Sequence, residues 1–431
     1  MTRASKFFSV ENEVSLDSIS EKVFTYFNHN SKTLGNLLGV GVSDSISIPA
    51  NDQTDVFERT QNFMNLHNGD WIFGYFGYDL KNNIEKLGSR HKDFLDFPKA
   101  FFFVPSIVFE INRNSVSAHF DASKTSENEL SQLILKLFGD QKNIHQKSNE
   151  NKNNVHARIE KNVYLNDIKK LQKHIQDGDI YEVNYCQEFF SDKISFDPIA
   201  TYNKLNTITQ APFSAYFRNF HQHIICGSPE RYLKKINNKI ISQPIKGTAK
   251  RGSTESEDEV IVSNLLNSKK EKSENVMIVD LVRNDLSKIA EKGSVKVEEL
   301  FQLHTFKNVH QMISTVTCEV NENKNITEIV KNTFPMGSMT GVPKIRAMQI
   351  IDELEHSNRG VFSGSLGYIN PNGDFDFNVI IRSIVYDSEK KYASISAGSA
   401  ITIASDPEME YEESLLKAFA MIRALNGELN G

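Results

Sequence analysis

The spacing of hydrophobic residues predicts a protein that mixes helices with strands. In the first third of the chain, the runs WIFGYFGYDL and AFFFVPSIVFEI combine aromatic and β-branched residues, which is typical of strands. Polar stretches with helix-like composition join these runs. Both kinds of element are therefore expected in this part of the chain.

The same mixture continues in the second half. The segment VYLNDIKKLQKHIQDGD carries Ile168, Leu171 and Ile175 at helical spacing, and Gly178 follows as a stop signal. No repeat of solenoid length and no glycine fingerprint ahead of a helix is present, so neither a repeat array nor a Rossmann dinucleotide fold is favoured. Two further apolar runs are expected to be strands, IYEVNYCQEFF and KYASISAGSAITIA.

One segment interrupts this pattern. Residues 140–162 are rich in Asn and Lys and contain almost no apolar residue that could pack in a core. They are predicted to be a polar linker or a long surface loop. This segment separates an N-terminal region, residues 1–139, from residues 163–427, where the candidate chemistry is concentrated.

Composition narrows the class of protein. A chain of 431 residues with 39% hydrophobic content can bury a large core. The net charge is −6 and the 49 basic residues are scattered, so no nucleic-acid partner is expected. No apolar run approaches the roughly 18 residues needed to span a bilayer, and the N-terminus lacks a signal-peptide pattern. The three cysteines are far apart, which favours a reducing compartment and predicts a cytoplasmic protein without membrane contacts.

Two pairs of glutamates have helical spacing. Glu271 and Glu274 precede an apolar helical run, and Glu410 and Glu413 are followed one turn later by Lys417. Because positions three apart share a helix face, each pair presents two carboxylates in one direction. A hard divalent cation with oxygen ligands would balance such pairs. The alternative is that both pairs belong to ordinary solvated helix faces.

Other reactive groups lie near glycine and proline or in apolar surroundings. Glu230 follows a proline turn, and Lys246 lies in QPIKGTAKRG, which predicts a tight turn. Arg382 lies in an apolar run predicted to be a strand, where an unpaired guanidinium would be costly. The stretch TFPMGSMTGVPK opens a helix whose free backbone amides can receive an anion. The three charged residues also have a structural explanation: Glu230 as a turn residue, Lys246 as an exposed loop lysine and Arg382 as half of a structural ion pair.

Together these segments resemble the chorismate-utilising enzymes, and most of all the members that form aminodeoxychorismate. The resemblance implies an α+β fold in which two large, mainly antiparallel β-sheets pack as a sandwich with helices outside. The N-terminal region contributes to the same sandwich, and the active site lies in the cleft. The matching motifs, in family order, are GDIYEVN, GSPERYL, PIKGTAKRG, ENVMIVDLVRND, VHQMIS, FPMGSMTGVPKIRAMQIIDELE, RGVFSGSLGY, IIRS and DPEMEYEES.

The resemblance also implies chorismate as substrate and magnesium as cofactor. Glu230 corresponds to the general acid that helps the 4-hydroxyl of the substrate ring to leave. Arg382 corresponds to a ligand of the enolpyruvyl carboxylate, and His310 and Thr340 to residues that line the ring. Lys417 corresponds to a basic residue beside the second glutamate pair. The implied magnesium ligands are Glu271, Glu274, Glu410 and Glu413, and the implied carboxylate-binding stretch, residues 396–400, includes Gly398, Ser399 and Ala400.

Lys246 separates two reactions within this family. Anthranilate-forming relatives have a small residue at this position, and ammonia attacks ring carbon 2 directly. Aminodeoxychorismate-forming relatives commonly have lysine, which attacks carbon 2 before ammonia adds at carbon 4 and displaces it. The resemblance therefore implies amination of chorismate for para-aminobenzoate and folate synthesis, with Lys246 as a nucleophile whose pKa is lowered by burial or by a nearby cation. The alternatives are anthranilate synthesis and a non-catalytic chorismate-binding subunit.

Three positions depart from the family pattern. Glu182 stands where water-using relatives carry a lysine base and amine-using relatives usually carry glutamine. It is a candidate to bind ammonium, to pair with Lys246 or to face a structural partner. Phe362 replaces a common tyrosine, and Ala400 replaces a frequent glycine. No cysteine lies in an amidotransferase-like motif, so a separate glutamine amidotransferase subunit, component II, is expected to supply ammonia.

Overall fold

The computed structural model describes residues 3–31, 34–52, 54–139, 152–307 and 309–430. The strands of these residues form one sheet of 13 strands and one of 10. In chain order, the strands are β1 (Ala4–Ser9), β2 (Val23–Asn28), β3 (Asn36–Val40), β4 (Asp44–Ile48), β5 (Ile72–Phe76), β6 (Ala100–Val104), β7 (Ile107–Asn112), β8 (Ser115–Phe120), β9 (Asn153–Ala157), β10 (Glu182–Ser191), β11 (Phe213–Asn219), β12 (Gln222–Ser228), β13 (Arg231–Ile236), β14 (Lys239–Gln243), β15 (Ile245–Lys250), β16 (Lys296–Thr305), β17 (Val309–Glu319), β18 (Gly341–Val342), β19 (Ser365–Ile369), β20 (Phe375–Asn378), β21 (Ser383–Asp387), β22 (Tyr392–Ile401) and β23 (Gly427–Asn430).

Both sheets draw strands from the two halves of the chain. The larger sheet has the order β1-β8-β7-β3-β2-β11-β12-β21-β22-β10-β9-β23, with β18 added to β10. The smaller sheet has the order β15-β17-β14-β13-β20-β19-β5-β6-β4, with β16 added to β17. Among the described pairings only β9 with β23 is parallel. The strands of the N-terminal region are thus built into both sheets.

Helices cover the outer faces of the sheets. The helices are α1 (Val56–Leu66), α2 (Lys81–Ile84), α3 (Glu127–Phe138), α4 (Lys161–Gln176), α5 (Pro198–Thr209), α6 (Glu255–Asn267), α7 (Lys269–Ser287), α8 (Ile326–Thr333), α9 (Lys344–Leu354) and α10 (Pro407–Ala424). Hydrophobic side chains of α3, α5 and α10 join the core on the larger sheet, those of α1, α7 and α8 join the core on the smaller sheet, and α4 and α9 pack on β10.

Aromatic side chains fill the space between the sheets. Phe27 of β2 packs on Phe73 of β5 with ring centroids 5.5 Å apart, and Tyr75 of β5 packs edge-on against Phe217 of β11 at 5.3 Å. Burying aromatic rings provides much of the apolar area that stabilises a core. The expected sandwich of two mainly antiparallel sheets with helices outside is confirmed.

Several local predictions are also confirmed, and others need correction. The predicted helix is α4, and Gly178 follows it with φ +82°, the left-handed conformation expected of a C-terminal stop. The run AFFFVPSIVFEI forms two strands because Pro105 and Ser106 separate β6 from β7. Residues 140–151 of the predicted linker lie outside the described residues. The rest of that segment contains β9, which pairs with β10 and β23, and the start of α4.

Two sequence features have a direct structural counterpart: the cysteines and the lack of long apolar runs. Cys186, Cys226 and Cys318 are buried free thiols. None of the helices in the described part of the chain is long and apolar enough to cross a membrane.

Candidate active site

Lys246 lies in strand β15 and not in the predicted tight turn. Pairing of β15 with β17 is interrupted by a bulge between Ile245 and Thr248, where Gly247 adopts φ +84°. Such a backbone conformation is cheap for glycine alone. The Lys246 side chain is only 10% exposed, and its Nζ donates a 2.7 Å hydrogen bond to Glu182 Oε1. The bulge at Gly247 therefore explains why the neighbouring Lys246 side chain points into the protein.

The surroundings of Lys246 stabilise its charged form. Burial by itself would lower the pKa of Lys246, but the carboxylates of Glu182, Glu274 and Glu230 outweigh burial and raise the pKa above its ordinary value. Among the described residues, burial therefore does not produce the expected lowering of this pKa. Glu182 is 1% exposed, and its second oxygen, Oε2, has no hydrogen-bond partner among the described residues. Of the three possibilities open for Glu182, pairing with Lys246 is the one seen.

Glu230 is a buried carboxyl immediately before β13. It is 5% exposed, and Ser338 Oγ donates a 2.6 Å hydrogen bond to its Oε1. Burial raises the pKa of Glu230 to about 7, although Ser338 and Lys246 act in the opposite direction. Glu230 can therefore hold a proton near neutral pH, as a general acid must. Ser338 was not singled out from the sequence, and its place in the FPMGSMTG motif was the available signal.

The two glutamate pairs lie in the first two turns of α7 and α10. Lys270 of α7 connects the two helices, because its Nζ lies 3.3 Å from Glu410 Oε1 and 3.9 Å from Glu274 Oε1. Glu413 instead pairs with Lys417 at 2.7 Å. Lys270 belonged to an apparently ordinary charge run, and the sequence alone did not single it out.

Burial acts on most of these carboxyls. It raises the pKa of Glu274 to about 7, with Glu182 adding to the effect, and it also raises the pKa of Glu271. The pKa of Glu413 is lowered, because Lys417 outweighs the effect of burial. The pairs are therefore not two solvated helix faces; they form a partly buried cluster whose ionised state needs positive charge.

Among the residues that the structure describes, the glutamate cluster has unpaired carboxylate oxygens but no compact set of metal ligands. Within the described residues, no group of three or more His, Cys, Asp or Glu side chains is arranged closely enough to hold a metal ion. Two oxygens nevertheless fit a divalent cation: Glu274 Oε1 and Glu410 Oε2 are buried and have no hydrogen-bond partner in the described part of the chain. Carboxylate oxygens are the ligands that magnesium prefers. The residues that would hold it are Glu271, Glu274, Glu410 and Glu413.

Arg382 and the end of β22 form a cationic region beside this cluster. Arg382 precedes β21 with φ +51°, so it does not lie within a strand as predicted. Its Nη1 donates to the carbonyl oxygen of Lys417 at 3.4 Å, and no carboxylate in the described part of the chain forms an ion pair with it. Burial lowers the pKa of Arg382, which Glu413 partly offsets. A substrate carboxylate would balance this guanidinium.

The predicted carboxylate-binding stretch is part of a sheet. Residues 396–400 pair with β10 on one side, but the described pairing of β22 with β21 ends at Ser394. The other edge of this stretch therefore has no neighbouring strand among the described pairings, and an edge backbone can donate to an anion. Lys417 Nζ donates to the Gly398 carbonyl oxygen at 2.8 Å, and the side chain of Ser399 is buried. Ala400 lies opposite Asn184 of β10.

Thr340 has a structural function in this geometry. It is fully buried, and its Oγ1 donates to the carbonyl oxygens of Met336 at 3.1 Å and Gly337 at 3.3 Å. Its own carbonyl oxygen accepts from the Asn184 backbone N–H at 2.8 Å. Thr340 thus closes the turn that carries Ser338 and fixes that turn against β10. Phe362 is buried in the core of the smaller sheet.

The described side-chain hydrogen bonds of His310 are to residues outside the candidate set. Its ring nitrogens contact Asp258 Oδ1 and Thr305 Oγ1, both at 2.9 Å. The next residue, Gln311, points to the opposite face of β17 and its Nε2 lies 3.4 Å from Thr248 Oγ1. Both residues pair with the strand that carries Lys246, His310 opposite Ala249 and Gln311 opposite Thr248, and the Gln311 side chain contacts the Thr248 side chain.

Comparisons with known proteins identify the family of the chain. The family model described as chorismate binding enzyme matches residues 23–423. The chain is 36% identical over 369 residues to the chloroplastic aminodeoxychorismate synthase of Arabidopsis thaliana; this match covers 82% of the chain but only 40% of the plant protein. It is 32% identical to aminodeoxychorismate synthase component 1 of Bacillus subtilis, over 85% of the chain and 79% of that relative.

A solved structure has the same fold. Anthranilate synthase component I of Streptococcus pneumoniae superposes with a TM-score of 0.79 and 25% sequence identity, over 91% of this chain and 92% of that one. The relatives thus include enzymes named for two different products. From the match along nearly the whole sequence, the chain belongs to the family of chorismate-binding enzymes.

Proposed function

We propose that this protein is an aminodeoxychorismate synthase component I, which aminates chorismate with ammonia to 4-amino-4-deoxychorismate for para-aminobenzoate and folate synthesis. The observation that carries the proposal is the buried Lys246, paired with Glu182 and electrostatically coupled to Glu230. A primary amine in this position provides a nucleophile that a small side chain would lack. The names of the plant and Bacillus relatives support the same reaction.

The first half of the reaction prepares ring carbon 4 for amination. The Lys246 ammonium must lose a proton before it can attack, and Glu182 Oε1, 2.7 Å away, is in position to accept that proton. The amine then forms a bond to ring carbon 2 while the ring double bonds shift. The 4-hydroxyl departs as water with the proton held by Glu230, whose pKa of about 7 allows this at neutral pH.

The second half exchanges one amine for another. Ammonia forms a bond to carbon 4, and the bond between carbon 2 and Lys246 breaks. Lys246 recovers its proton from Glu182 as it leaves, and the excess proton of the new amine passes to Glu230, which restores the acid. Chorismate and ammonia thus yield aminodeoxychorismate and water, with every group returned to its starting state.

Substrate binding is assigned to the charged groups around this centre. Arg382 and the free edge of residues 396–400 hold the enolpyruvyl carboxylate, and Lys417 orients that stretch. Magnesium held by the four glutamates would neutralise and orient the ring carboxylate. Ammonia is supplied by a glutamine amidotransferase subunit, and the enzyme acts in the cytoplasm.

The decisive experiment identifies products from chorismate, magnesium and ammonium. Products are separated by chromatography against authentic standards, because amino isomers of chorismate share one mass. Lys246→Ala should lose aminodeoxychorismate synthesis and release some anthranilate if ammonia reaches carbon 2, and Lys246→Arg should be inactive because guanidinium stays protonated. Lys250→Ala, at an exposed lysine of the same strand, is the control.

Two results would contradict the proposal. Anthranilate as the main product of the unaltered enzyme would assign it to the other reaction of the family. Full aminodeoxychorismate synthesis by both Lys246 variants would show that ammonia attacks without a covalent lysine.

A further inference from the structure

Lys270 occupies an unusual position between two helices. It is the second residue of α7, yet its Nζ reaches Glu410 of α10 at 3.3 Å and Glu274 of its own helix at 3.9 Å. The Lys270 side chain is 47% exposed, whereas Glu410 is 2% and Glu274 is 7% exposed. A half-exposed cation is therefore paired with two buried carboxylates.

Because Lys270 is half exposed, its ion pairs with Glu274 and Glu410 can be broken at little cost. A lysine ammonium at the surface is well hydrated and sits on a flexible stem, so turning it into solvent costs little. The two glutamates cannot follow it, because each is buried and each has an oxygen without a hydrogen-bond partner among the described residues, Glu274 Oε1 and Glu410 Oε2. A carboxylate left buried without a cation is costly. Any cation that replaced Lys270 would therefore be drawn to the same two side chains.

We propose that Lys270 is a displaceable counter-cation: it holds the carboxylates of α7 and α10 together and competes with a divalent cation for them. Lys270 would thereby set the affinity of the enzyme for magnesium. The inference rests on the proposed metal site, and it assigns to Lys270 a positioning function without contact with the substrate.

The test measures cation binding, not turnover. Magnesium is titrated into the unaltered protein and into Lys270→Gln by calorimetry, and thermal unfolding is followed with magnesium and with a chelator. Lys270→Gln should bind magnesium about threefold to tenfold more tightly, the gain expected from removing one or two partly exposed ion pairs. In chelator it should unfold at a lower temperature than the unaltered protein, because the glutamates then lack their cation.

Two further variants distinguish the loss of the Lys270 ion pairs from the loss of a positive charge in general. Lys269→Gln removes a positive charge from the neighbouring exposed residue, which forms no ion pair among the described residues, and it should leave magnesium affinity nearly unchanged. Lys270→Arg keeps a cation in place and should bind magnesium no more tightly than the unaltered protein.

The outcomes distinguish this inference from the metal site on which it rests. If the unaltered protein binds magnesium and Lys270→Gln binds it equally or more weakly, Lys270 does not compete and the inference is overturned. If Lys269→Gln shows the same gain as Lys270→Gln, general charge explains the effect and the inference also fails. If no variant binds magnesium, the proposed metal site itself is wrong.

Discussion

Glu230 and Lys246 are buried in the same region, but burial has a different effect on the charge of each side chain. The main partner of Glu230 is the hydroxyl of Ser338, which does not compensate for lost solvation, so the pKa of Glu230 rises. Lys246 is surrounded by carboxylates, which outweigh its desolvation and keep it charged. One site thus holds a carboxyl that can be neutral next to an amine that is protonated, and catalysis requires the amine to give up its proton.

The pKa of Glu230 predicts a pH dependence of activity. Glu230 can act as an acid only while protonated, so turnover at a constant concentration of free ammonia should fall as pH rises through about 7. Glu230→Gln should lower kcat by at least about a hundredfold and should lack this descending limb. Initial rates from pH 6 to about 9 check both points.

The same pKa predicts a pH dependence of stability. The folded-state pKa of about 7 lies above the ordinary value of 4.5, so the folded protein binds the proton more tightly than the unfolded chain does. The contribution of Glu230 to the free energy of unfolding is therefore fully present below pH 4.5 and is lost as pH rises to about 7. Chemical denaturation should show a smaller loss of stability across this window for Glu230→Gln. An identical pH dependence in both proteins would contradict the assignment.

At the scale of elements, the bulge in β15 determines where Lys246 points. A methyl group on Gly247 would lie 2.6 Å from Met312 Cε and 3.2 Å from Glu271 Oε2. We expect Gly247→Ala to shift the bulge and lower kcat on the order of tenfold to a hundredfold, because displacement of a reacting group by about 1 Å has effects of that size. Steady-state kinetics and thermal unfolding together measure the change.

Gly178 provides the matched control. Its φ of +82° is nearly that of Gly247, but a methyl group there would meet nothing within 4 Å. Gly178→Ala should therefore cost about 1–2 kcal/mol of stability through backbone strain alone and leave kcat unchanged. If the two variants lost equal activity, the bulge would have no special function in aiming Lys246.

Helices α7 and α10 carry the predicted metal ligands. Magnesium should raise the midpoint of thermal unfolding, since a ligand that binds only the folded state stabilises it, and chelation should abolish turnover. Glu274→Gln and Glu413→Gln should each lose the magnesium-dependent shift, because each removes one anionic ligand. Normal magnesium dependence in both variants would show that the cluster serves another purpose.

At the scale of the whole molecule, the prediction concerns the source of ammonia. None of the three cysteines is suited to be the nucleophile of a glutaminase, because all are buried, and burial raises the pKa of Cys186 to about 12 and of Cys226 to about 11. The purified chain should therefore use ammonium but not glutamine. Product formation with each nitrogen source, before and after addition of a glutamine amidotransferase subunit, checks this. Efficient use of glutamine by the chain alone would contradict it.

Much of the fold could be predicted from local pattern. Helical spacing and a terminal glycine identified α4, and apolar β-branched and aromatic runs identified β5, β10 and β22. These signals are local, because the period of a helix or strand and the left-handed preference of glycine depend on neighbouring residues. The order of strands in the two sheets joins residues far apart in the chain, so local pattern could not supply it. The resemblance to the chorismate-utilising enzymes implied the sandwich of two sheets, but the strand order within each sheet came only from the structure.

For the site, the sequence by itself determined which chemical groups are available: two glutamate pairs on helices, Glu230 and Lys246. Only the tertiary structure decided their partners and charge states. It paired Lys246 with Glu182, hydrogen-bonded Ser338 to Glu230, placed Lys270 between two helices and bonded the His310 ring to Asp258 and Thr305. The physical reason is that a pKa and an ion pair depend on burial and on distances of a few ångströms between residues far apart in sequence. Residue types and their spacing determine which chemical groups are present, and packing determines the charge and orientation of those groups.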